Sequence, residues 1–382
     1  MTLAVIQDRP IIGFEGNLFI ANFSDIIKYT KLCDHLIYCC SIEQAKSKDD
    51  VKKLKIADFP NVTFEEVIKN PIKEMFHISS FNMRKIEKVV DMADLIVIKC
   101  PSITIGKWAF DYIRKVGKPY ILEIIACAWD AYWYHDIQGK LISFYSYYNA
   151  KKMVKKADNV IYVTNKFLQS RYPTKGNSLA CSNVVLMDMD NSVLEERQNY
   201  ISKRCNINRL KLGTVGALNV EFKGQQYVIK AISKLKKLGV FFDYYLVGGG
   251  SNKRLQKIAE IEGVQDQVHF VGRLPKDKMN TFYDNIDIYV HPSLAEGLPR
   301  VVIEAESRAL PVCGANAAGT PELIDSDFVF EKQDVSDLCR ILLSFNLENM
   351  LEQSKINFKR AHEYSLDILD DRRKVFYISA MS

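Results

Sequence analysis

Short apolar runs of strand length, rich in Val, Ile and Tyr, take turns along this chain with amphipathic stretches of helix length, and the series runs twice. That alternation calls for parallel strands joined by crossover helices, an α/β fold. In the first half, residues 36–40, 62–67, 95–98, 120–125 and 159–163 are expected as strands, with helices over 82–93 and 105–116. Gly117-Lys118-Pro119 stops the second helix and launches the next strand. The pattern breaks over 172–209, a polar stretch holding Pro173, Gly176, Asn177, Asn191 and Asn206. A second series begins at Leu210, with strands expected at 212–215, 242–247, 268–271, 286–290 and 311–313 and helices at 227–238, 252–261, 276–284 and 300–309. The region 348–376 is helical in pattern and rich in charge.

Two doubly wound Rossmann-like halves joined near residue 205 follow from this pattern. Such folds bind ligands outside the carboxyl ends of their strands, so a cleft between the halves is the expected site. The length of 382 residues suits two domains better than one core. The expected division is 1–204, 205–350 and 351–382.

Other classes are excluded by composition. No apolar run approaches the roughly 20 residues of a membrane helix, and residues 1–10 lack the layout of a secretory signal. The nine cysteines are scattered without a CxxC pair, which fits free thiols in a reducing compartment and no metal site. A net charge of +6, spread along the chain, is too diffuse for a dedicated nucleic-acid binder.

The chemistry concentrates in residues 290–324. A strand ends in His291-Pro292-Ser293, the loop Glu296-Gly297-Leu298-Pro299 follows, and a helix starts near Arg300 and carries Glu304. Proline suits the first helical position, and a helix start presents free N–H groups to anions. One carboxylate can then meet a sugar hydroxyl and the other a ribose. The plainer reading is a solvated loop acid and a helical partner for Arg300 or Arg308. Three further strand ends carry glycine: Gly216, with Lys223-Gly224 opening the next helix; Gly248; and Gly272, followed by Arg273. Each alone is what any tight turn needs. Together on one sheet edge they suit a nucleotide, with backbone close to phosphate and lysine as a point charge.

This combination resembles the donor domain of the retaining glycosyltransferases of family 4, which have the GT-B fold. Glu296 and Glu304 match its E-x7-E signature, and Gly216…Lys223-Gly224, Phe270-Val271-Gly272 and Gly314…Gly319-Thr320-Pro321-Glu322-Leu323 match accompanying motifs. The segment 157–164 is similar to members from bacterial polysaccharide clusters. The resemblance implies that Glu304 binds ribose hydroxyls, and that Glu296, beside the N–H groups of Gly297 and Leu298, holds the transferred sugar. It places Lys223 on the diphosphate and the backbone around Gly272 and Arg273 on the base. It also implies a C-terminal segment that crosses back to the first domain. Pro299 completes the donor set. Ala217 departs from the pattern, because the family usually has arginine there. On the acceptor side, Asp130 and His135 are candidates for the polar residue after the strand at 120–125, and Gly16 is a further candidate.

The expected activity is metal-independent, retaining transfer of a hexose-type sugar from a UDP- or GDP-sugar, with no cofactor. The acceptor is a saccharide or a polyprenyl-diphosphate-linked saccharide, in bacterial surface polysaccharide synthesis (O-antigen, capsule or exopolysaccharide). A GT-B-type sugar-nucleotide epimerase and a catalytically silent binding protein are the alternatives. The location is expected to be cytoplasmic. Residues 139–175 are basic, with Phe144, Tyr145, Tyr147 and Tyr148 interleaved, which leaves room for peripheral contact at the inner face of the plasma membrane. A solvated helix with a buried aromatic face is the plainer reading of that stretch.

Overall fold

The computed structural model describes all residues except 21–23, 53, 69–72, 74, 135–136, 187–188, 205–208 and 382. It forms two compact units, Met1–Asn183 with Leu369–Ser382, and Val184–Ile368.

The first unit is built on a seven-stranded sheet. Its strands are β1 (Thr2–Ile6), β2 (His35–Cys40), β3 (Val62–Glu66), β4 (Leu95–Cys100), β5 (Tyr120–Ile124), β6 (Asn159–Tyr162) and β7 (Asn177–Ala180). They lie in the order β7-β6-β5-β4-β1-β2-β3, all parallel. Winding reverses between β1 and β4, the doubly wound arrangement. Its helices include α1 (Ser24–Thr30), α2 (Ser80–Met92), α3 (Ile105–Val116) and α4 (Ile137–Lys156). The Ser79 hydroxyl caps α2 by accepting from the Asn82 N–H at 3.2 Å, and α3 ends on Gly117 in the left-handed region, φ 70°. Four short strands, Ile11–Phe14, Asn17–Ile20, Ile42–Gln44 and Lys55–Ile56, make a second sheet.

The second unit opens with α5 (Ser192–Arg204). It then alternates β8 (Arg209–Val215), α6 (Gln225–Lys236), β9 (Phe241–Val247), α7 (Lys253–Ile261), β10 (Val268–Gly272), α8 (Lys276–Asp284), β11 (Ile288–His291), α9 (Arg300–Glu306), β12 (Val312–Ala315) and β13 (Val329–Phe330). The helices α10 (Val335–Ser344) and α11 (Leu347–His362) follow, and α12 (Leu366–Met381) carries the chain into the first unit. The sheet order is β10-β9-β8-β11-β12-β13, all parallel.

The stretch 172–209, expected to be irregular, contains β7 and α5. Moreover, the units divide at Asn183/Val184, ahead of the expected 205, because α5 is bound into the second unit. Its buried Arg197 donates to the carbonyls of Tyr283 at 2.7 Å, Ile286 at 2.8 Å and Arg308 at 3.3 Å. Likewise the return falls at Leu369, later than the expected 351. Helix α11 stays in the second unit, where the Val312 N–H donates to Gln353 at 2.8 Å and Asn357 donates to the Leu310 carbonyl at 2.9 Å.

Candidate functional site

In the second unit β8, β9 and β10 lie side by side, and their carboxyl ends close in turns that hold one another. The Gly216 N–H donates to the Val247 carbonyl at 2.9 Å, the Gly248 N–H to Gly272 at 2.9 Å and the Leu218 N–H to Gly249 at 2.8 Å. A Cβ on Gly248 would stand 1.8 Å from the Gly216 oxygen, so the turns can approach this closely only with glycine there. Gly224 precedes α6 at φ 76°, where a Cβ would meet the Pro292 carbonyl oxygen at 1.9 Å. The Leu294 N–H also donates to Phe222 at 2.7 Å, and the Gly319 N–H to Gly297 at 3.0 Å. The loops after β8, β11 and β12 are thereby tied into one surface.

That surface brings Lys223 to Glu296. The lysine Nζ lies 2.7 Å from Glu296 Oε1, and His291 Nε2 lies 3.4 Å from the same oxygen. Burial alone would raise the Glu296 pKa, but Lys223 and His291 override it and hold this carboxylate well below the usual range. Glu296 is therefore an ionised acceptor with one oxygen engaged. Glu304 differs. Burial raises its pKa, against the opposing influence of Arg300, the Tyr283 hydroxyl and Lys276. The Tyr283 hydroxyl donates to its Oε2 at 3.2 Å. Arg308 pairs with Asp284 at 2.8 and 3.0 Å.

Gly216, Lys223, Gly248, Gly272, Glu296 and Gly297 thus belong to one connected sheet edge. Arg273 is exposed just beyond Gly272, whose φ is 82°. Leu298 and Pro299 are buried under the loop. Pro299 stands one position before the helix, since α9 begins at Arg300 and ends at Glu306, shorter than the expected 300–309. At Ala217 the backbone carbonyl accepts from Gln225 at 3.1 Å.

Asp130 lies in the first unit, half-buried at the start of the short helix Asp130–Trp133, within electrostatic reach of Arg171. Gly16 forms the tip of the hairpin between Ile11–Phe14 and Asn17–Ile20, with Glu15 at φ 48° and Gly16 at 77°, as a two-residue turn requires. His135 lies outside the described residues.

Three polar groups had no role assigned from sequence. His291 lies beside Glu296, and Tyr283 donates to Glu304. Asp8, just past β1, accepts from the Ser102 hydroxyl at 2.8 Å and from the N–H groups of Ile103, Thr104 and Gly106 at 3.0, 3.2 and 3.3 Å, fixing the start of α3. An acid just after a strand and an imidazole closing one were the available signals.

The profile of the family "Glycosyl transferases group 1" matches residues 201–360. Protein CapJ of Staphylococcus aureus is 29% identical over 369 residues, covering 93% of this chain and 90% of that one. The amylovoran biosynthesis glycosyltransferase AmsK of Erwinia amylovora is 34% identical over 133 residues, 32% of this chain and 33% of its own. Among solved structures, HepE of Anabaena in complex with UDP-glucose superposes with a TM-score of 0.66 at 16% identity, covering 100% of both chains.

Proposed function

Because residues 201–360 match the group 1 glycosyltransferases and the chain has an α/β GT-B fold, we propose that it transfers a hexose-type sugar from a UDP- or GDP-sugar to a saccharide or lipid-linked saccharide, with retention and without a metal ion. The observation that carries this reading is the Lys223–Glu296 pair on the glycine-lined edge of β8, β9 and β10. Glycosyl transfer breaks the bond between the anomeric carbon and the diphosphate oxygen, and the electron pair leaves with the diphosphate. An ammonium placed there stabilises the charge as it develops. Lys223 has that role, and with Ala217 in place of the family's arginine, Arg273 or another base is its candidate helper. Glu296, held ionised by two neighbours, is a weak base, so it accepts hydrogen bonds from sugar hydroxyls and removes no proton. Glu304 takes the ribose, Gly297 and Leu298 line the sugar pocket, and Asp130 faces the acceptor.

AmsK is named for amylovoran biosynthesis, which supports a role in bacterial polysaccharide synthesis, and HepE is seen in complex with UDP-glucose, which supports a nucleotide-sugar donor. The test is nucleoside-diphosphate release from a panel of UDP- and GDP-sugars, with and without EDTA. Release from one donor, unaffected by EDTA and lost in Lys223→Ala and Glu304→Ala, is the expected result. No release with any donor, and no stabilisation by any nucleotide, would overturn the reading.

A further inference from the structure

Helix α4 is built inside out. Its buried face carries small residues, among them Gly139, Ser143, Ser146 and Ala150. Its large apolar side chains point to solvent: Ile137 is 80% exposed, Leu141 71%, Phe144 49% and Tyr148 67%. Their spacing of four, three and four residues puts them on one stripe, within about 60° around the helix. The same face continues toward the carboxyl end in Lys151, Lys152 and Lys155, all exposed, and Lys140 flanks the apolar part. From Ile137 to Lys156 the sequence holds five lysines and no acid. Phe76, 73% exposed, extends the patch from another segment, its ring 6.0 Å from that of Tyr145. Tyr145 is pinned below it, donating to the Met75 carbonyl at 2.9 Å and accepting from Lys107 at 2.9 Å.

Only part of this was visible in the sequence. Tyr145 and Tyr147 are half-buried, so two of the four interleaved aromatics belong to the packed side. Ile137, outside the stretch 139–175, and Leu141 are the most exposed of the stripe. Among the described residues no helix is long and apolar enough to cross a membrane.

We propose that the exposed face of α4, Ile137-Leu141-Phe144-Tyr148 with Lys140, Lys151, Lys152 and Lys155, is a docking surface for an anionic bilayer. Apolar side chains in the acyl boundary with ammonium groups at headgroup level is the usual interfacial arrangement. Charge complementarity selects this occupant. The helix offers no acid to its own lysines, so a second copy of the face would set ammonium groups against one another or against apolar side chains. The proposal is independent of the transferase reading and is tested without donor or acceptor.

The experiment is co-sedimentation of the full chain with phosphatidylcholine vesicles, with and without phosphatidylglycerol, at low and high salt. The wild type binds the phosphatidylglycerol vesicles, and salt weakens the binding. Leu141→Ser/Phe144→Ser and Lys151→Glu/Lys152→Glu each lower that affinity by at least about tenfold, the lysine effect following from about fivefold per charge. Lys151→Glu/Lys152→Glu keeps the wild-type melting midpoint, because both side chains are exposed, and it tests the surface even where Leu141→Ser/Phe144→Ser loses stability through the Phe144–Trp129 ring contact at 4.6 Å. A wild type that ignores both kinds of vesicle overturns the proposal. So does equal binding by wild type and variants. Loss of self-association in Leu141→Ser/Phe144→Ser, with vesicle binding unchanged, overturns it in favour of a second copy.

Discussion

Glu296 and Glu304 sit eight positions apart, yet the fold gives them opposite electrostatics. Lys223 and His291 outweigh burial at Glu296, whereas burial prevails at Glu304. Different behaviour on substitution follows. Removing the ammonium in Lys223→Ala takes away a group aimed at the leaving diphosphate, and also leaves Glu296 without its closest partner. Loss of about 10²–10³ in turnover is expected, the range for deleting one preorganised stabilising group. Glu296→Gln keeps the shape and removes the charge. Because the two residues act as a unit, Lys223→Ala/Glu296→Gln is expected to be little slower than the worse single variant, which single-turnover kinetics checks. For Glu304 the sign is set by its raised pKa. Ribose hydroxyls donate best to an ionised carboxylate, and a carboxyl with a raised pKa takes up its proton earlier as the pH falls. Nucleoside-diphosphate affinity, measured by calorimetry, is therefore expected to fall on acidification at a pH above the ordinary carboxylate range, and the fall should vanish in Glu304→Gln. An acid limb that persists unchanged in that variant would mean another group is responsible.

At the scale of elements, the turns after β8 and β9 depend on a missing side chain. Gly248→Ala drives a Cβ against the Gly216 oxygen, at a spacing of 1.8 Å before relaxation. A loss of about 1–3 kcal/mol in stability is expected from that overpacking, with nucleotide affinity falling as well because the turns must part. Gly249→Ala is the control. Its Cβ would meet nothing within 4 Å, so denaturation midpoints should stay close to wild type. A Gly248→Ala chain as stable as this control would show that the turns are not locked. Which glycine matters was not legible in the sequence, where 248, 249 and 250 look alike. The strands themselves were legible. The observed β9 and β10 differ from the expected runs by a single residue at one end, because both read as apolar runs bounded by turns. β1 and β7 were not read. β1 is a five-residue run at the very start of the chain, with no helix ahead of it to set off the alternation. β7 is Asn-Ser-Leu-Ala on the sheet edge, and carries no apolar pattern at all. The glutamate pair was legible from spacing, but Tyr283, arriving from a different helix, could not be.

Over the whole chain, the first unit is closed by residues from far apart in sequence. Where the chain leaves it, Arg373 of α12 donates to the Ser182 carbonyl at 3.0 Å, and the Cys181 thiol donates to the Leu369 carbonyl at 3.5 Å, so departure and return are held side by side. Beneath them lies a buried ion pair, Lys28 Nζ to Glu123 Oε1 at 2.5 Å, with 7% and 2% side-chain exposure. The Tyr29 hydroxyl donates to the other carboxylate oxygen, and Lys28 also donates to Asn183 at 2.6 Å. Lys99 is the register neighbour of Glu123 on β4. A hint was present in the sequence, since Lys99 and Glu123 are charges set inside strands whose other residues are apolar or aromatic apart from the closing Cys100. Burial would raise Glu123, but Lys28 and Lys99 pull it down to about 2; burial pulls Lys28 down to about 8, against Glu123. The carboxylate thus stabilises the fold above its unfolded value of roughly 4.3, and that contribution is lost as the pH falls toward 2. For the ammonium, the cost of burial is fully present below about 8 and lifts as the pH rises toward the unfolded value of roughly 10.4. Glu123→Gln at neutral pH leaves that ammonium buried without its counter-charge, and a loss of about 3–5 kcal/mol is expected. The loss should shrink as the pH rises above 8 and Lys28 sheds its proton. Lys28→Met/Glu123→Gln should cost less than the sum of its singles, because the double variant no longer strands the Lys28 charge, although Lys99 still loses its neighbour. Chemical denaturation of the four chains at neutral and alkaline pH reads all of this. Additive singles, with a Glu123→Gln loss that ignores pH, would show that Lys28 and Glu123 are not coupled.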